Sequence, residues 1–475
     1  MPDLLLDILY YTFTTLYVIL DIAVIIVVVL ENRNPIRTLA WILLLLVLPL
    51  IGAVIYLIFG RDYRNKKILK RWSDVHVQTK RVSEKELEAE GVPWRFRKVF
   101  RLLDTEMTNE LYAGNNIEVY TQGREIFDTM FRDLEAAKHH IHIEFYIIEE
   151  GEVGNHLHDI LLRKAQQGVE VRVIYDYYGG LKLPIEWRNS LKKAGAKIYP
   201  FLSAKSFLGL QYINYRNHRK LVIIDGKAAY TGGVNIADRY RLGNHLGLWR
   251  DTFIKVQGPA VAAMQQAFLL DWNFVDKERL VESDYIEKSD HVGNEIVQIV
   301  TSGPDNDWLN MLNSVVAAIN SAKERISIHT PYFIPPEPLM QALESAALSG
   351  VEVRLMLSER SDSILVSAAG RSYIDKLLSA GVRVYFYRSN FLHSKAIVVD
   401  GYLSVIGTAN MDVRSFEQNF EIAAFVYGEE TGSTLEQNFE IDMRTCRELN
   451  IHAWRHRTLW TQAKESIARL MSPIF

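Results

Sequence analysis

Cysteine is almost absent from this chain of 475 residues, in which Cys446 stands alone. A single cysteine excludes an intramolecular disulfide and fits a cytoplasmic setting. No cluster of Cys and His has the spacing of a zinc site, so the sequence requires no metal and predicts no cofactor. Neither sign of charge dominates, since 54 Lys and Arg stand against 57 Asp and Glu. The chain lacks the basic excess typical of nucleic-acid-binding proteins, and we expect no nucleic-acid partner.

Two apolar runs occupy the N-terminal part of the chain, at residues 4–30 and 39–59. Each is long enough to cross about 30 Å of hydrocarbon, although Asp21 interrupts the first run and Pro49 the second. The extreme N-terminus carries acidic rather than basic residues, which argues against a cleaved signal peptide. The sequence therefore predicts a two-helix transmembrane hairpin over residues 1–62.

Positive charge is distributed unevenly around these runs. The connecting loop offers only Arg33 and Arg37, whereas six cationic residues follow the second run: Arg61, Arg64, Lys66, Lys67, Lys70 and Arg71. Cytoplasmic flanks of membrane spans carry the excess of Lys and Arg, so we expect the N-terminus and the rest of the chain in the cytoplasm. A charged Asp21 at mid-membrane costs about 2.5–3.5 kcal/mol, which favours a structural role or contact with another copy of the chain.

Two further segments each allow two interpretations. The basic and aromatic residues 93–101 lie within a predicted linker over residues 63–110 and suit either an anionic membrane surface or a packing helix. The C-terminal residues 454–475 predict a helix that either packs on the rest of the chain or touches lipid.

One pattern of His, Lys and Asp occurs twice with identical spacing. The two copies are His218-x-Lys220-x4-Asp225 and His393-x-Lys395-x4-Asp400. Residues two positions apart on a strand share a face, so the His and Lys of each copy point the same way. The odd spacing puts each Asp on the opposite face. We therefore predict that the two Asp residues of this catalytic motif are structural supports.

Paired His and Lys side chains suit chemistry on a phosphodiester. Lysine provides positive charge for phosphate oxygens, while one neutral imidazole attacks phosphorus and a second, protonated imidazole delivers a proton to the leaving oxygen. Small-residue turns follow both motifs, at residues 231–235 and 406–410. Each turn ends in an asparagine, Asn235 or Asn410, whose amide can donate to phosphate.

The surrounding sequence also repeats. Three strand-like segments recur in the same order, as residues 141–146 and 326–332, 168–172 and 350–354, and 194–199 and 380–385. Strands alternating with helices indicate an α/β fold. We expect two tandem α/β/α lobes, at residues 111–280 and 281–475, related by a pseudo-two-fold axis, with the C-terminal helix in the second lobe.

These motifs resemble the paired HKD motifs of the phospholipase D superfamily, and the whole chain resembles the bacterial cardiolipin synthases of that superfamily. The resemblance implies that His218 is the nucleophile, which forms a phosphohistidine, and that His393 is the general acid and later the base. It also implies that Asp251 and Glu421 orient the two imidazoles. The second half thus has Glu where the first half has Asp.

The resemblance further implies a bacterial inner-membrane enzyme that transfers a phosphatidyl group from one phosphatidylglycerol to another, giving cardiolipin and glycerol. The motifs alone leave other acceptors open. Water would make the enzyme a phospholipase D, and a different alcohol would make it another phosphatidyltransferase. A membrane-bound nuclease and a non-enzymatic scaffold are the remaining alternatives, and the charge balance and the intact motifs argue against them.

Overall fold

The computed structural model describes residues 2–31, 35–56, 60, 88, 91–107, 111–203, 214–276, 278, 280–281, 284–286, 291–306 and 308–472. The chain forms two compact units, residues 1–64 with 204–214 and residues 65–203 with 215–475. Most of the cationic residues on which the predicted orientation depends lie outside the described residues, as does most of the linker over residues 63–110.

The described residues of the first unit form three apolar helices: α1 (Pro2–Leu30), α2 (Pro35–Val47) and α3 (Pro49–Ile55). Of the helices in the described residues, α1 alone has a stretch, Leu6–Leu30, that is long and apolar enough to cross a membrane. The second predicted span is divided, because Pro49 cannot donate the backbone hydrogen bond that would continue α2. Proline is instead favourable at the start of α3.

These helices pack around a small apolar cluster. Val28, Leu45, Ala53 and Tyr56 are buried together, and the Tyr56 hydroxyl donates to a Glu31 carboxylate oxygen at 2.8 Å. Asp21, the charged residue within the first predicted span, is only partly exposed. Its Oδ1 is buried and has no hydrogen-bond partner among the described residues.

A 3-10 turn (Trp94–Phe96) and helix α4 (Arg97–Met107) open the described part of the second unit. Phe96, Val99 and Leu103 are buried in the core of the second half. Phe96 stacks on Tyr402 with ring centroids 5.4 Å apart. The segment 93–101 is therefore a packing element along its apolar side.

The first half of the second unit alternates strands and helices. Its elements are β1 (Tyr112–Gln122), α5 (Gly123–Ala136), β2 (His140–Phe145), α6 (Glu152–Gln166), β3 (Glu170–Asp176), α7 (Ile185–Lys193), β4 (Lys197–Phe201), β5 (Lys220–Ile224), β6 (Ala228–Gly232), α8 (Asp238–Arg241), β7 (Trp249–Gln257) and α9 (Val261–Val275).

The second half follows the same plan with added short elements. These are β8 (Glu295–Ser302), α10 (Asn310–Asn320), β9 (Arg325–His329), β10 (Phe333–Ile334), α11 (Glu337–Leu348), β11 (Glu352–Ser358), α12 (Ile364–Arg371), α13 (Ile374–Ala380), β12 (Arg383–Tyr387), β13 (Phe391–Leu392), β14 (Ala396–Val399), β15 (Leu403–Gly407), β16 (Met411–Asp412), α14 (Val413–Glu417), β17 (Glu421–Tyr427), α15 (Glu429–Met443), β18 (Cys446–Glu448), α16 (Ile451–Arg455) and α17 (Leu459–Leu470).

The strands form one continuous mixed sheet, in the order β18-β12-β11-β9-β14-β15-β17-β8-β1-β7-β6-β5-β2-β3-β4, while β10 and β16 pair separately. The two halves use corresponding strands in corresponding order, and they meet where β1 pairs antiparallel with β8. The mixed α/β fold expected from the sequence is confirmed. Its two halves share a sheet, and each half has its own large apolar core.

Candidate active site

The two motif histidines lie where a short strand segment of each half pairs with the other half. Strand β13, just before His393, pairs in parallel with β7 of the first half, and the backbone N–H of His393 donates to the Arg250 carbonyl at 2.7 Å. The corresponding contact joins Asn217 to Phe420, and the backbone N–H of His218 donates to the Phe420 carbonyl at 2.9 Å. Each motif therefore enters the site along a strand of the other half.

This exchange produces crossed pairs of imidazole and carboxylate. Nδ1 of His218 donates to Glu421 and lies 2.9 Å from Oε2, whereas Nδ1 of His393 donates to Oδ2 of Asp251 at 2.6 Å. Both carboxylates are buried. A hydrogen bond at Nδ1 fixes the tautomer and directs Nε2 of each ring away from the carboxylate. Nζ of Lys395 lies 3.3 Å from Nε2 of His393. The orienting acid of each histidine thus comes from the opposite half.

The two carboxylates are held in different ways. Thr408 donates its hydroxyl to Oε2 of Glu421 at 2.5 Å, and the Asn419 amide donates to Oε1 at 3.1 Å. The corresponding position of the first half is Gly233, where an added Cβ would lie 2.1 Å from Oδ1 of Asp251. A glycine is therefore required beside the aspartate, while a threonine supports the longer glutamate.

Both motif lysines are buried beside their histidines. Nζ of Lys220 donates to the His218 carbonyl at 2.7 Å, and Nζ of Lys395 donates to the His393 carbonyl at 2.5 Å. Burial lowers the pKa of Lys220 to about 7 and that of Lys395 to about 8, against the attraction of nearby carboxylates. Burial therefore disfavours the charged form of both lysines, and a bound anion would stabilise it.

Burial also lowers the pKa of both imidazoles, His218 to about 4 and His393 to about 3. Lys395 contributes to the lowered pKa of His218, and Lys220 contributes to that of His393. These four side chains therefore share one electrostatic environment. At neutral pH and without substrate both rings are uncharged, as a nitrogen nucleophile requires.

Aromatic side chains form walls around the imidazoles. The ring of Tyr146 meets His218 edge-on at a centroid distance of 5.0 Å. His393 lies 5.1 Å from Trp249 and 5.4 Å from Tyr240 on the same measure. These three aromatic residues were not predicted as site residues. Tyr146 closes a repeated segment and Trp249 precedes Asp251 by two residues, but neither position carries a distinctive sequence signal.

The motif aspartates lie at the opposite ends of the motif strands. Asp225 accepts backbone N–H bonds from residues 138–140 at 2.8–3.0 Å, and Asp400 accepts the same three bonds from residues 323–325 at 2.8–3.0 Å. Both aspartates have positive φ, 54° and 52°, at the turns that end these strands. Although they belong to the motif of catalytic residues, their carboxylates anchor the starts of β2 and β9.

The two turn asparagines differ in their contacts. The Asn235 amide donates to the Tyr240 hydroxyl at 2.7 Å and accepts from the Ile147 backbone at 3.1 Å. Asn410 receives its main support through its own backbone N–H, which donates to Ser415 at 3.1 Å. Its Oδ1 is buried with no hydrogen-bond partner among the described residues. Asn235 is thus partly engaged in holding the loop around His393's aromatic wall.

A family model described as cardiolipin synthase, PLD-like domain, matches residues 130–272 and 315–443, which contain both motifs. The chain belongs to this cardiolipin synthase family. A second model, described as phospholipase D-nuclease N-terminal, matches residues 19–61, which include the last part of α1 together with α2 and α3.

Relatives in this family match almost the full chain. The cardiolipin synthase of Oceanobacillus iheyensis is 38% identical, covering 96% of this chain and 97% of the relative. The major cardiolipin synthase ClsA of Bacillus subtilis is 39% identical, covering 97% and 98%. Among solved structures, the phosphatidylserine synthase of Haemophilus influenzae has a TM-score of 0.62 at 14% identity, covering 80% of this chain and 100% of that one. This last likeness concerns the fold alone.

The resemblance to cardiolipin synthases inferred from the motifs is thus confirmed. Sequence reasoning did not find the crossed pairing or the supporting roles of Gly233 and Thr408. One signal was present, because the change from Gly to Thr in the second turn accompanies the change from Asp to Glu in the acid. Only the structure connects these two differences within each cardiolipin synthase half-site.

Proposed function

We propose that this chain is a cardiolipin synthase, a phosphatidyltransferase that joins two phosphatidylglycerol molecules and releases glycerol. The observation that carries this function is the pair of crossed histidine–carboxylate contacts beside two buried lysines. The arrangement provides one nucleophile, one proton carrier and positive charge for a phosphate, all in one buried site.

In the first step, Nε2 of His218 attacks the phosphorus of one phosphatidylglycerol while the bond from phosphorus to the glycerol oxygen breaks. His393 gives a proton to that oxygen, so that neutral glycerol leaves. The negative phosphate raises the pKa of His393 above its value in the empty site, because an opposite charge favours the imidazolium form. Glu421 stabilises the positive charge that develops on His218.

In the second step, His393 takes a proton from a glycerol hydroxyl of the second phosphatidylglycerol. The resulting oxygen nucleophile attacks phosphorus, the bond to His218 breaks, and cardiolipin is formed with both imidazoles restored. Lys220 and Lys395 hold the phosphate oxygens throughout, with the remaining amide N–H groups of Asn235 and Asn410 as additional donors.

The proposal includes the membrane arrangement. Residues 1–62 form a hairpin with spans at about 4–30 and 39–59, residues 63–110 form a linker, and residues 111–280 and 281–475 form lobes related by a pseudo-two-fold axis. The catalytic part is cytoplasmic at a bacterial inner membrane. The apolar helix α1 and the corresponding strand order of the two halves support this arrangement. The proposal includes a homo-oligomer because Asp21 places a carboxylate within the apolar helix α1, where a polar contact from another copy would stabilise it.

The test is product analysis by mass spectrometry after the full chain, reconstituted in liposomes, is given phosphatidylglycerol. We expect cardiolipin and glycerol from the unaltered protein and neither from His218→Ala or His393→Ala. The control is His452→Ala, which changes an exposed histidine of α16 and should retain activity. Phosphatidic acid as the sole product would show that the enzyme is a hydrolase and not a synthase. Cardiolipin formed by both active-site variants would refute the roles assigned to His218 and His393.

A further inference from the structure

Helix α17 has its polar and apolar faces reversed relative to an ordinary surface helix. Its buried face consists of small and polar residues: Glu465, Ala468 and, just beyond the helix, Ser472, with Thr461 half-buried beside them. Its exposed side carries a stripe of large apolar residues, Leu459 (83% exposed), Trp460 (69%), Ile467 (62%) and Leu470 (77%), with the exposed Lys464, Ser466 and Arg469 at the margins of the stripe. A helix facing only water would have the opposite pattern. The exposed stripe therefore requires an apolar contact.

Specific contacts fix this orientation of α17. Arg457 forms a two-pronged ion pair with Glu465, with N–O distances of 2.7 and 2.9 Å. The Gln462 amide donates to the Arg457 carbonyl at 2.9 Å. On the buried side, Ala468 packs with Ala369 of α12 and with Ile334. Rotating the helix to bury its apolar stripe would break all of these contacts.

Helix α12 extends the exposed apolar area toward the active site. Ile364 is 85% exposed and Leu365 51% exposed at its first turn. Two residues before Ile364, the Asp362 carboxylate accepts a hydrogen bond from Tyr332 at 2.6 Å. Asp362 also interacts electrostatically with Lys395 of the catalytic motif. The first turn of α12 therefore follows a carboxylate that is close enough to Lys395 to influence its charge.

We propose that this surface, which comprises Ile364, Leu365, Leu459, Trp460, Ile467 and Leu470 and is called the α12–α17 surface, inserts into the headgroup boundary of an anionic lipid bilayer. It would give the second unit, which contains the catalytic residues, a membrane contact separate from helix α1. The proposal rests on the proposed function only in taking the bilayer lipid to be the substrate source.

The charges around the surface favour lipid over a second copy of the chain. Nζ of Lys464 lies 5.1 Å from the Trp460 ring centroid, and Arg469 is exposed on the same helix. Tryptophan is favourable at the boundary between hydrocarbon and headgroups, and cationic side chains there are attracted by anionic lipid. Two copies meeting face to face would bring these cations together.

The first test measures the depth of single positions in the bilayer. Nitroxide labels are placed on Ile467→Cys or Leu470→Cys in a full-length Cys446→Ser background, reconstituted in liposomes of phosphatidylglycerol and phosphatidylcholine. Leu348→Cys, an equally apolar and 74% exposed position at the end of α11, is the matched control. We expect labels at 467 and 470 to collide mainly with oxygen in the lipid, and the label at 348 to collide mainly with a water-soluble nickel complex.

Two results of this test would overturn the proposal. One is exposure of positions 467 and 470 to the nickel complex equal to that of position 348. The other is spin–spin broadening between labels on different chains at 467 and 470, which would identify the surface as a contact between copies. Neither result depends on whether the chain makes cardiolipin, so failure of the proposed function would leave this test decisive.

A second test separates membrane docking from chemistry. Ile467→Asp with Leu470→Asp should lower product formation from long-chain phosphatidylglycerol in liposomes by about tenfold or more, because the charges oppose insertion. The same variant should act normally on a short-chain phosphatidylglycerol dissolved as monomers, and Leu348→Asp should act normally on both substrates. Equal losses on the two substrates, or no loss on either, would contradict the proposal.

Discussion

At the scale of single residues, the two histidines of the site depend on different neighbours behind their carboxylates. Asp251 has room because residue 233 is glycine, whereas Glu421 is held by the hydroxyl of Thr408. The identities of the histidines, lysines and acids could be predicted from the sequence, since the motif and its resemblance mark them. The assignment of each acid to the opposite histidine could not, because it depends on strand pairing between residues 142 and 203 positions apart.

The contact between Gly233 and Asp251 predicts the result of Gly233→Ala. A Cβ at 2.1 Å from Oδ1 must displace the carboxylate and with it the ring of His393. We expect kcat to fall by about tenfold or more, with little change in KM. Steady-state kinetics on phosphatidylglycerol and a circular dichroism spectrum check this. Gly350→Ala, whose Cβ would have no neighbour within 4 Å but whose φ of 96° strains an alanine, is the control for a loss of stability away from the site. Unchanged kcat in Gly233→Ala would contradict the prediction.

The lowered pKa values of the lysines predict how activity depends on pH. Below its pKa each lysine is charged and attracts phosphate, so its loss of charge should add a further fall in kcat/KM as pH rises through about 7 to 8, beyond the fall caused by deprotonation of the general acid His393, whose pKa is about 3 in the free enzyme. On the acid side His218 remains a neutral nucleophile down to pH values near its pKa of about 4. A pH profile of kcat/KM reports groups of the free enzyme and is the appropriate measurement. A flat profile between pH 6 and 9 would refute this assignment.

At the scale of elements, helix α15 supports the pair formed by His393 and Asp251 through a buried ion pair. Nε of Arg250 lies 2.8 Å from Oδ2 of Asp442 on α15, and both side chains are buried. Arg250 also donates to the backbone carbonyl of Asp251 at 2.5 Å. The pair therefore connects a helix on one face of the sheet to the residue that orients His393.

Removing one partner of this pair leaves an uncompensated buried charge. We expect Asp442→Ala to lower the free energy of unfolding by about 3–5 kcal/mol. In contrast, Glu135→Ala, which removes the exposed ion pair of Arg163 and Glu135, should cost about 1 kcal/mol or less. Thermal and denaturant unfolding of the detergent-solubilised protein compares the two variants. Equal losses of stability would show that the buried pair has no special role.

The sequence predicted some elements well and others poorly, for physical reasons. The long alternating segments predicted strands and helices correctly, because burial on one face imposes a period along many residues. Strand β13 has only two residues, and Asn217 pairs through a single bridge, so neither has a period to read. The apolar run continues across Pro49, so its length alone predicts one uninterrupted span, whereas the structure has a break before α3 at this proline.

At the scale of the whole molecule, one sheet passes through both halves, and each half provides the acid for the other half's histidine. A complete site therefore requires both halves of one chain. We predict that an equimolar mixture of purified His218→Ala and His393→Ala proteins makes no cardiolipin, as measured by mass spectrometry. Activity recovered on mixing would mean that halves are exchanged between copies.

The crossed carboxylates also have a consequence for the order of synthesis. A growing chain places the membrane helix α1 first and His218 well before its carboxylate, which follows 203 residues later. When only the first half has been synthesised, His218 therefore lacks its orienting acid, Glu421. We therefore expect the site to be inactive until strand β17, which carries Glu421, has been synthesised.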